Sequence, residues 1–227
     1  MTPTDLVVAT DLTRVYGSGP GAVVAVRSVS CRVSPGARIA LTGASGSGKT
    51  TLLHLLAGLD EPTTGEVSWP GLREDPPQRP RRLGVVFQGP SLVPPLDVVE
   101  NVALPLLIAG VPDAVATGRA VEALTEVGIT ELATKLPEEL SGGQAQRVAV
   151  ARVLAMEPRL ILADEPTGQL DAAHRDQVVD ILLAVAERLA AGLVVCTHDE
   201  RVAQRLAQRW RMRDGLLVRP TPEASTC

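Results

Sequence analysis

The chain has 227 residues, 45% of them hydrophobic and 21% charged, and a formal net charge of −4 at pH 7. That length supports one substantial apolar core, and the composition excludes a disordered or fibrous chain. The acidic balance excludes a protein whose main task is to neutralise a phosphate backbone, because such binding grows with clustered Lys and Arg; no nucleic-acid partner is expected.

The longest nearly uninterrupted apolar stretch, Val102 to Val111, contains a proline and is about half the roughly 20 residues that a membrane span requires. At the N-terminus, MTPTDLVVAT has an acid where a secretory signal is basic and lacks a long apolar segment, so a cytoplasmic protein is expected. Cys31, Cys196 and Cys227 show no CxxC spacing, which leaves neither a zinc site nor a disulfide framework to be read, and Cys196 in LVVCT reads as a small buried hydrophobe. The aromatic residues are Tyr16, Trp69, Phe87 and Trp210 alone, so the core must be aliphatic and few rings are available to stack on a base.

Short alternating runs at 6–10 (LVVAT), 22–33 (AVVAVRSVSCRV), 38–43 (RIALTG) and 65–69 (GEVSW) predict strands with Gly/Pro punctuation. Between the third and fourth, the segment from Lys49 has the apolar density of a helix that closes near Gly58. Residues 70–80 (PGLREDPPQRP) are proline-rich and predict an irregular loop ahead of the strand-like 83–88 (LGVVFQ). Ala120, Leu124 and Val127, at i, i+4 and i+7, predict an amphipathic helix from Asp113 as N-cap to Val127, with Gly128 just beyond its end. After Ser141 another helical face carries Val150, Val153 and Leu154. The fully apolar strands 160–164 (LILAD) and 193–197 (LVVCT), separated by a helix near 172–190, predict a parallel sheet covered on both faces. Asp214-Gly215 between two short strand-like runs predicts a hairpin, and the tail from Pro220 is expected to be disordered.

Gly43, Ala44, Ser45, Gly46, Ser47, Gly48, Lys49 and Thr50 fit GxxxxGK[ST] between a strand and a helix, the context that the phosphate-loop motif requires. Glycines let consecutive backbone N–H groups turn inward around an anion, and the helix N-terminus adds positive partial charge. Lys49 can bridge β- and γ-phosphate oxygens and the Thr50 hydroxyl can ligate Mg²⁺. Alone, this motif leaves kinases, GTPases, helicases and transport ATPases open. A second site lies where an apolar strand ends in Asp164 and Glu165, at the sheet edge where nucleotides bind in open α/β folds. There Asp164 can support Mg²⁺ through its water shell, and Glu165 can act as general base on an attacking water.

Leu140, Ser141, Gly142, Gly143 and Gln144 resemble the LSGGQ signature of ATP-binding cassette (ABC) ATPases, with Ser141 as the N-cap of the following helix. The resemblance spans nearly the whole chain. It implies an α/β P-loop NTPase of ABC type over residues 1–220, with a RecA-like parallel-sheet core, an antiparallel β subdomain and a helical subdomain at about 90–155, and a disordered tail at 221–227. It further implies ATP and Mg²⁺ as ligands, Tyr16 as the adenine-stacking ring, and Thr51 as an α-phosphate contact. Gln88 is implied as the Q-loop residue near Mg²⁺ and water, Asp171 as the D-loop aspartate, and His198 as the switch histidine at the γ-phosphate. Catalysis would rest on Glu165, His198, Gln88 and Lys49. His54 and His174 lack such context and read as structural or solvent-facing.

ABC domains of this kind act as head-to-tail pairs, so Ser141, Gly142, Gly143 and Gln144 are expected to serve the phosphate loop of a second copy or a paralogous ATPase. The segment PSLVPPLDVVENVALPLLIAGV resembles the subfamily of macrolide exporters, lipoprotein-release ATPases and the cell-division ABC ATPase, which implies a membrane-spanning permease partner and a peripheral place on the inner face of the cell membrane. The competing class is a soluble ABC ATPase that remodels or regulates a macromolecule, against which stand the single short cassette and the acidic balance. Two features depart from the family pattern: the short, proline- and arginine-rich stretch between Gly65 and Gln88, and Gln169 where a smaller residue or Asn is common.

Overall fold

A computed structural model of the chain describes residues 4–72, 82–168 and 170–218. The sequence-predicted features at Gln169, in most of the proline-rich loop and in the tail lie outside them.

Nine strands and six α-helices are described: β1 (Val7–Tyr16), β2 (Val23–Val33), β3 (Arg38–Thr42), α1 (Lys49–Ala57), β4 (Thr64–Ser68), β5 (Leu83–Val86), α2 (Val98–Ile108), α3 (Asp113–Glu126), α4 (Gly142–Leu154), β6 (Leu160–Asp164), α5 (Ala172–Arg188), β7 (Gly192–Thr197), α6 (Glu200–Gln204), β8 (Gln208–Arg213) and β9 (Leu216–Val218). They form a three-stranded antiparallel sheet in the order β2-β1-β4 and a six-stranded sheet in the order β5-β6-β7-β3-β8-β9. The larger sheet is parallel from β5 to β8; β9 closes it as an antiparallel hairpin through Asp214 and Gly215, both at positive φ.

The central strands β6 and β7 are buried along their whole length because both faces of the sheet are covered there, whereas β8 alternates and buries only Trp210 and Met212. Leu160, Leu162, Val194 and Cys196 point into the core shared with α1, β1 and β2. Ile161, Ala163, Leu193 and Val195 point to the opposite core, shared with α2–α6, as the period-two alternation of strands dictates. Among the described residues no helix is long and apolar enough to cross a membrane.

Three local outcomes refine the sequence reading. β1 runs on to Tyr16 instead of stopping near residue 10, because Asp11 sits at φ 49° and breaks the register, hiding the continuation from a simple alternation pattern. Pro112, not Asp113, is the N-cap residue of α3 and offers no side-chain cap. Asp113 is the first helical residue, where its charge still favours the helix N-terminus. Gly128 takes φ 67° beyond the C-cap, and the N–H of Ile129 closes back on Leu124 O.

The segment between β5 and α2 is tied down by Arg152 on Ser91 O, by Gln146 on Phe87 O and, over its second half, by one amide. Asn101 is fully buried; its Oδ1 accepts from Val93 N at 2.8 Å and from Arg152 at 3.3 Å, and its Nδ2 donates to Val93 O, Leu96 O and Asp97 O. Asn101→Leu strands the Val93 N–H and removes one of two acceptors from the Arg152 guanidinium, which keeps Ser91 O at 3.1 Å and whose pKa burial already lowers. The expected loss is at least about 2 kcal/mol of stability in urea unfolding; a loss under about 0.5 kcal/mol would show that other contacts hold the segment.

Candidate active site

Three neighbouring strands end together. β3, β6 and β7 are adjacent and in parallel register, with Asp164 beside Cys196 and Thr42 beside Thr197. Their C-terminal turns therefore bring the phosphate loop, Glu165 and His198 to one edge of the sheet. A cleft of about 560 Å³ there is lined by Ser45–Thr51, Val23–Ala25, Gln88, Glu165 and His198.

The phosphate loop is shaped by backbone conformations that side chains disfavour. Gly48 caps α1 at φ 99° without any side-chain cap, and a Cβ there would collide with Ala25 O. Uncapped N–H groups at the start of α1 thus face the cleft as anion donors. Ser47 Oγ is buried without a protein hydrogen-bond partner. Lys49, buried, donates to Gly43 O at 3.0 Å and Ala44 O at 3.2 Å, which leaves one of its three protons for another acceptor.

Thr50 Oγ1 lies 3.1 Å from Asp164 Oδ1 as donor to it. These two oxygens and the amide of Gln88 are hard donors that suit Mg²⁺. Among the described residues no group of three or more His, Cys, Asp or Glu could hold a metal by itself. Burial, and then Asp164, push the Cys196 thiol pKa well up; it stays a neutral filler, as its apolar context predicted.

Glu165 is the strained residue of the site, at φ 45°, a conformation that costs a non-glycine residue about 1–3 kcal/mol. The turn is fixed by Glu165 N donating to Cys196 O and by Gly168 N donating back to Glu165 O. Its carboxylate is mostly buried, with Oε1 4.0 Å from Lys49 Nζ and Oε2 2.9 Å from His198 Nδ1. Because a carboxylate only accepts, Nδ1 carries the proton and Nε2 is left for other partners. A Cβ on Gly168 would stand 3.6 Å from Gln88 Nε2, so Gln88 abuts the same turn.

The remaining sequence-predicted residues lie outside this cleft. Ser141 caps α4: its Oγ accepts from Gln144 N, and Gln144 Oε1 accepts from Ser141 N. None of Ser141, Gly142, Gly143 and Gln144 lines the cleft. Asp171 caps α5. Tyr16 is the antiparallel partner of Val23 at the cleft rim.

Three residues gain context that the sequence did not supply. His174, which read as solvent-facing, is exposed but bonds Asp171 Oδ2 through Nδ1 at 2.8 Å, and its ring lies against Gly143, joining the residues after β6 to the start of α4. Its spacing three residues after a helix cap is the one signal that could have flagged it. Gln146, buried on α4, donates to Phe87 O beside Gln88. His54 packs edge-on against Phe87.

A family model described as ABC transporter matches residues 26–168. The chain is 44% identical over 217 residues to the lipoprotein-releasing system ATP-binding protein LolD of Geobacter metallireducens, covering 92% of this chain and 96% of that protein. It is 40% identical over 221 residues to LolD 1 of Rhodopirellula baltica, covering 94% and 96%. Among solved structures, the ATP-binding cassette MJ0796 in a dimeric post-hydrolysis state bound to ADP and Pi matches with a TM-score of 0.84 at 34% identity, over 94% of this chain and 97% of that one. The chain is an ATP-hydrolysing protein that uses ATP and Mg²⁺. It belongs to the ABC transporter family, as an ATP-binding subunit.

Proposed function

We propose that this chain is the ATPase subunit of a lipoprotein-releasing transporter, working as a head-to-tail pair bound to a membrane-spanning permease on the cytoplasmic face of the membrane. The observation that carries the pairing is the separation within one copy: Lys49, Thr50, Glu165 and His198 share a cleft that Ser141–Gln144 do not line. A second copy would bring its signature to that cleft. Ser141 Oγ accepts from Gln144 N and keeps its hydroxyl proton to donate to a phosphate. The names of the relatives, which align over nearly their full length, support lipoprotein release as the work performed.

The geometry also supports an order of events. Glu165 is engaged on both oxygens, towards Lys49 and by His198. A γ-phosphate entering the cleft competes for these two donors. Lys49 turns to the β- and γ-oxygens, His198 turns to the γ-phosphate, and Glu165 is freed to take a proton from the attacking water. Thr50 would hold Mg²⁺ directly and Asp164 through water, and the bound ion would supply positive charge against the phosphates. Gln88, against the Glu165 turn, orients the water, and Thr51 meets the α-phosphate. Tyr16 stacks on the base, and Asp171 communicates between the paired sites.

Lys49→Ala is expected to abolish ATP binding measured by titration calorimetry. Glu165→Gln should keep binding while steady-state phosphate release falls about a hundredfold or more, and the ATP-bound protein should run as a dimer in light scattering. Undiminished turnover in Glu165→Gln would remove Glu165 as the base. Affinity capture of Glu165→Gln with ATP from detergent-solubilised membranes should recover a polytopic membrane protein; recovery of soluble macromolecules alone would move the function to remodelling.

A further inference from the structure

Beyond the phosphate site, a second constellation stands at the far end of α1. Arg14 and Tyr16 are two residues apart on β1 and so share a face. The Arg14 guanidinium carbon lies 4.6 Å from the centre of the Tyr16 ring. Arg14 bonds Asp60 through Nε at 3.0 Å and through NH2 at 2.7 Å, and the Tyr16 hydroxyl donates to Asp60 Oδ2 at 2.7 Å. One carboxylate therefore fixes both the cation and the rim of the ring. Tyr16 is still 42% exposed and is the strand partner of Val23 at the cleft rim.

Asp60 is delivered there by the end of α1. Gly58 turns left-handed at φ 70°, and the chain beyond is pinned to β1 by Thr63 N donating to Thr13 O and Val15 N donating to Thr63 Oγ1. Burial works to raise the Asp60 pKa, yet the bonds from Tyr16, Glu61 N and Arg14 hold it below the ordinary carboxylate value. Asp60 thus stays ionised as an acceptor.

We propose that Arg14 and Asp60 are positioning residues for base recognition, clamping Tyr16 so that its ring receives the purine of ATP. This rests on the reading that Tyr16 stacks on the base. The clamp fixes the hydroxyl, which removes ring rotations that would be lost on binding, and sets against one face of the ring a cation that Asp60 also holds. The site selects for a flat aromatic group at a set distance from the triphosphate, because α1 begins at Lys49 and the turn that follows it supplies Asp60.

The test compares affinities of the full-length protein for ATP and for inorganic tripolyphosphate, both with Mg²⁺, by calorimetry. Tripolyphosphate reports the phosphate loop alone and serves as the folding control. Tyr16→Ala should weaken ATP about tenfold and leave tripolyphosphate unchanged. Asp60→Ala and Arg14→Ala should each weaken ATP about threefold to fivefold, again without change for tripolyphosphate. Asp60→Asn, which keeps an acceptor oxygen for the hydroxyl, should recover part of the loss, and Asp60→Ala added to Tyr16→Ala should cost nothing more. If Tyr16→Ala weakens ATP selectively but Asp60→Ala and Arg14→Ala do not, the clamp is overturned and stacking stands. If Tyr16→Ala leaves the ratio of the two affinities unchanged, the stacking reading fails and the clamp with it. Equal weakening of both ligands by Asp60→Ala would make Asp60 a support of α1 and overturn its role towards the base.

Discussion

The parallel register of β6, β7 and β3 is the constraint on which the rest of the molecule depends. Because these strands are neighbours, groups more than a hundred residues apart in sequence, such as Thr50 and Asp164, come within hydrogen-bond reach. The strands are held there by burial on both faces. The same apolar alternation that builds the two cores thus sets the positions of polar groups at the strand ends. A change of one residue in the register of β6 would exchange its two faces and turn Glu165 away from Lys49 and His198.

At that edge the protein holds charge in a strained and mutually satisfied form. Glu165 occupies a backbone conformation that only its own turn and Cys196 O over-determine, and its carboxylate lies among cationic and protonated neighbours. Strain of this kind persists where the surroundings fix it. On the proposed reading, its consequence is that the candidate base would stay covered until an anion of higher charge competes for its partners, which would tie water activation to the presence of the γ-phosphate.

The readable part of this architecture is the part written in local backbone chemistry. Gly43 to Thr50 declare their loop because each glycine is needed within a few residues of the next, and Ser141 with Gln144 declares a capping box at a spacing of three. The parallel sheet was legible from fully apolar strands. What was not legible depends on partners far apart in sequence. Nothing near Asp60 says that it will bind Arg14 and Tyr16, 46 and 44 residues away. Nothing in VVENV says that Asn101 will hold five residues' worth of loop together with Arg152. The left-handed Asp11 hid half of β1, and Pro112 displaced the expected cap of α3, because a local irregularity and a local substitute each outcompeted the simpler pattern.

The length of α1 joins the two ends of the nucleotide site into one mechanical unit. Nine residues at about 1.5 Å each span roughly 14 Å, and the helix is buried along Leu52, Leu53, Leu55 and Leu56, so it cannot shift at one end alone. Its N-terminus supplies unpaired N–H groups to phosphate, and the turn after its C-terminus supplies Asp60. If Tyr16 stacks on the base as proposed, recognition of the triphosphate and of the flat group beyond it would be set by a single rigid spacing. A ligand that satisfies only one end leaves the other end's binding energy unused, which favours the whole nucleotide over either of its parts by differential affinity and needs no conformational change within the copy that holds it.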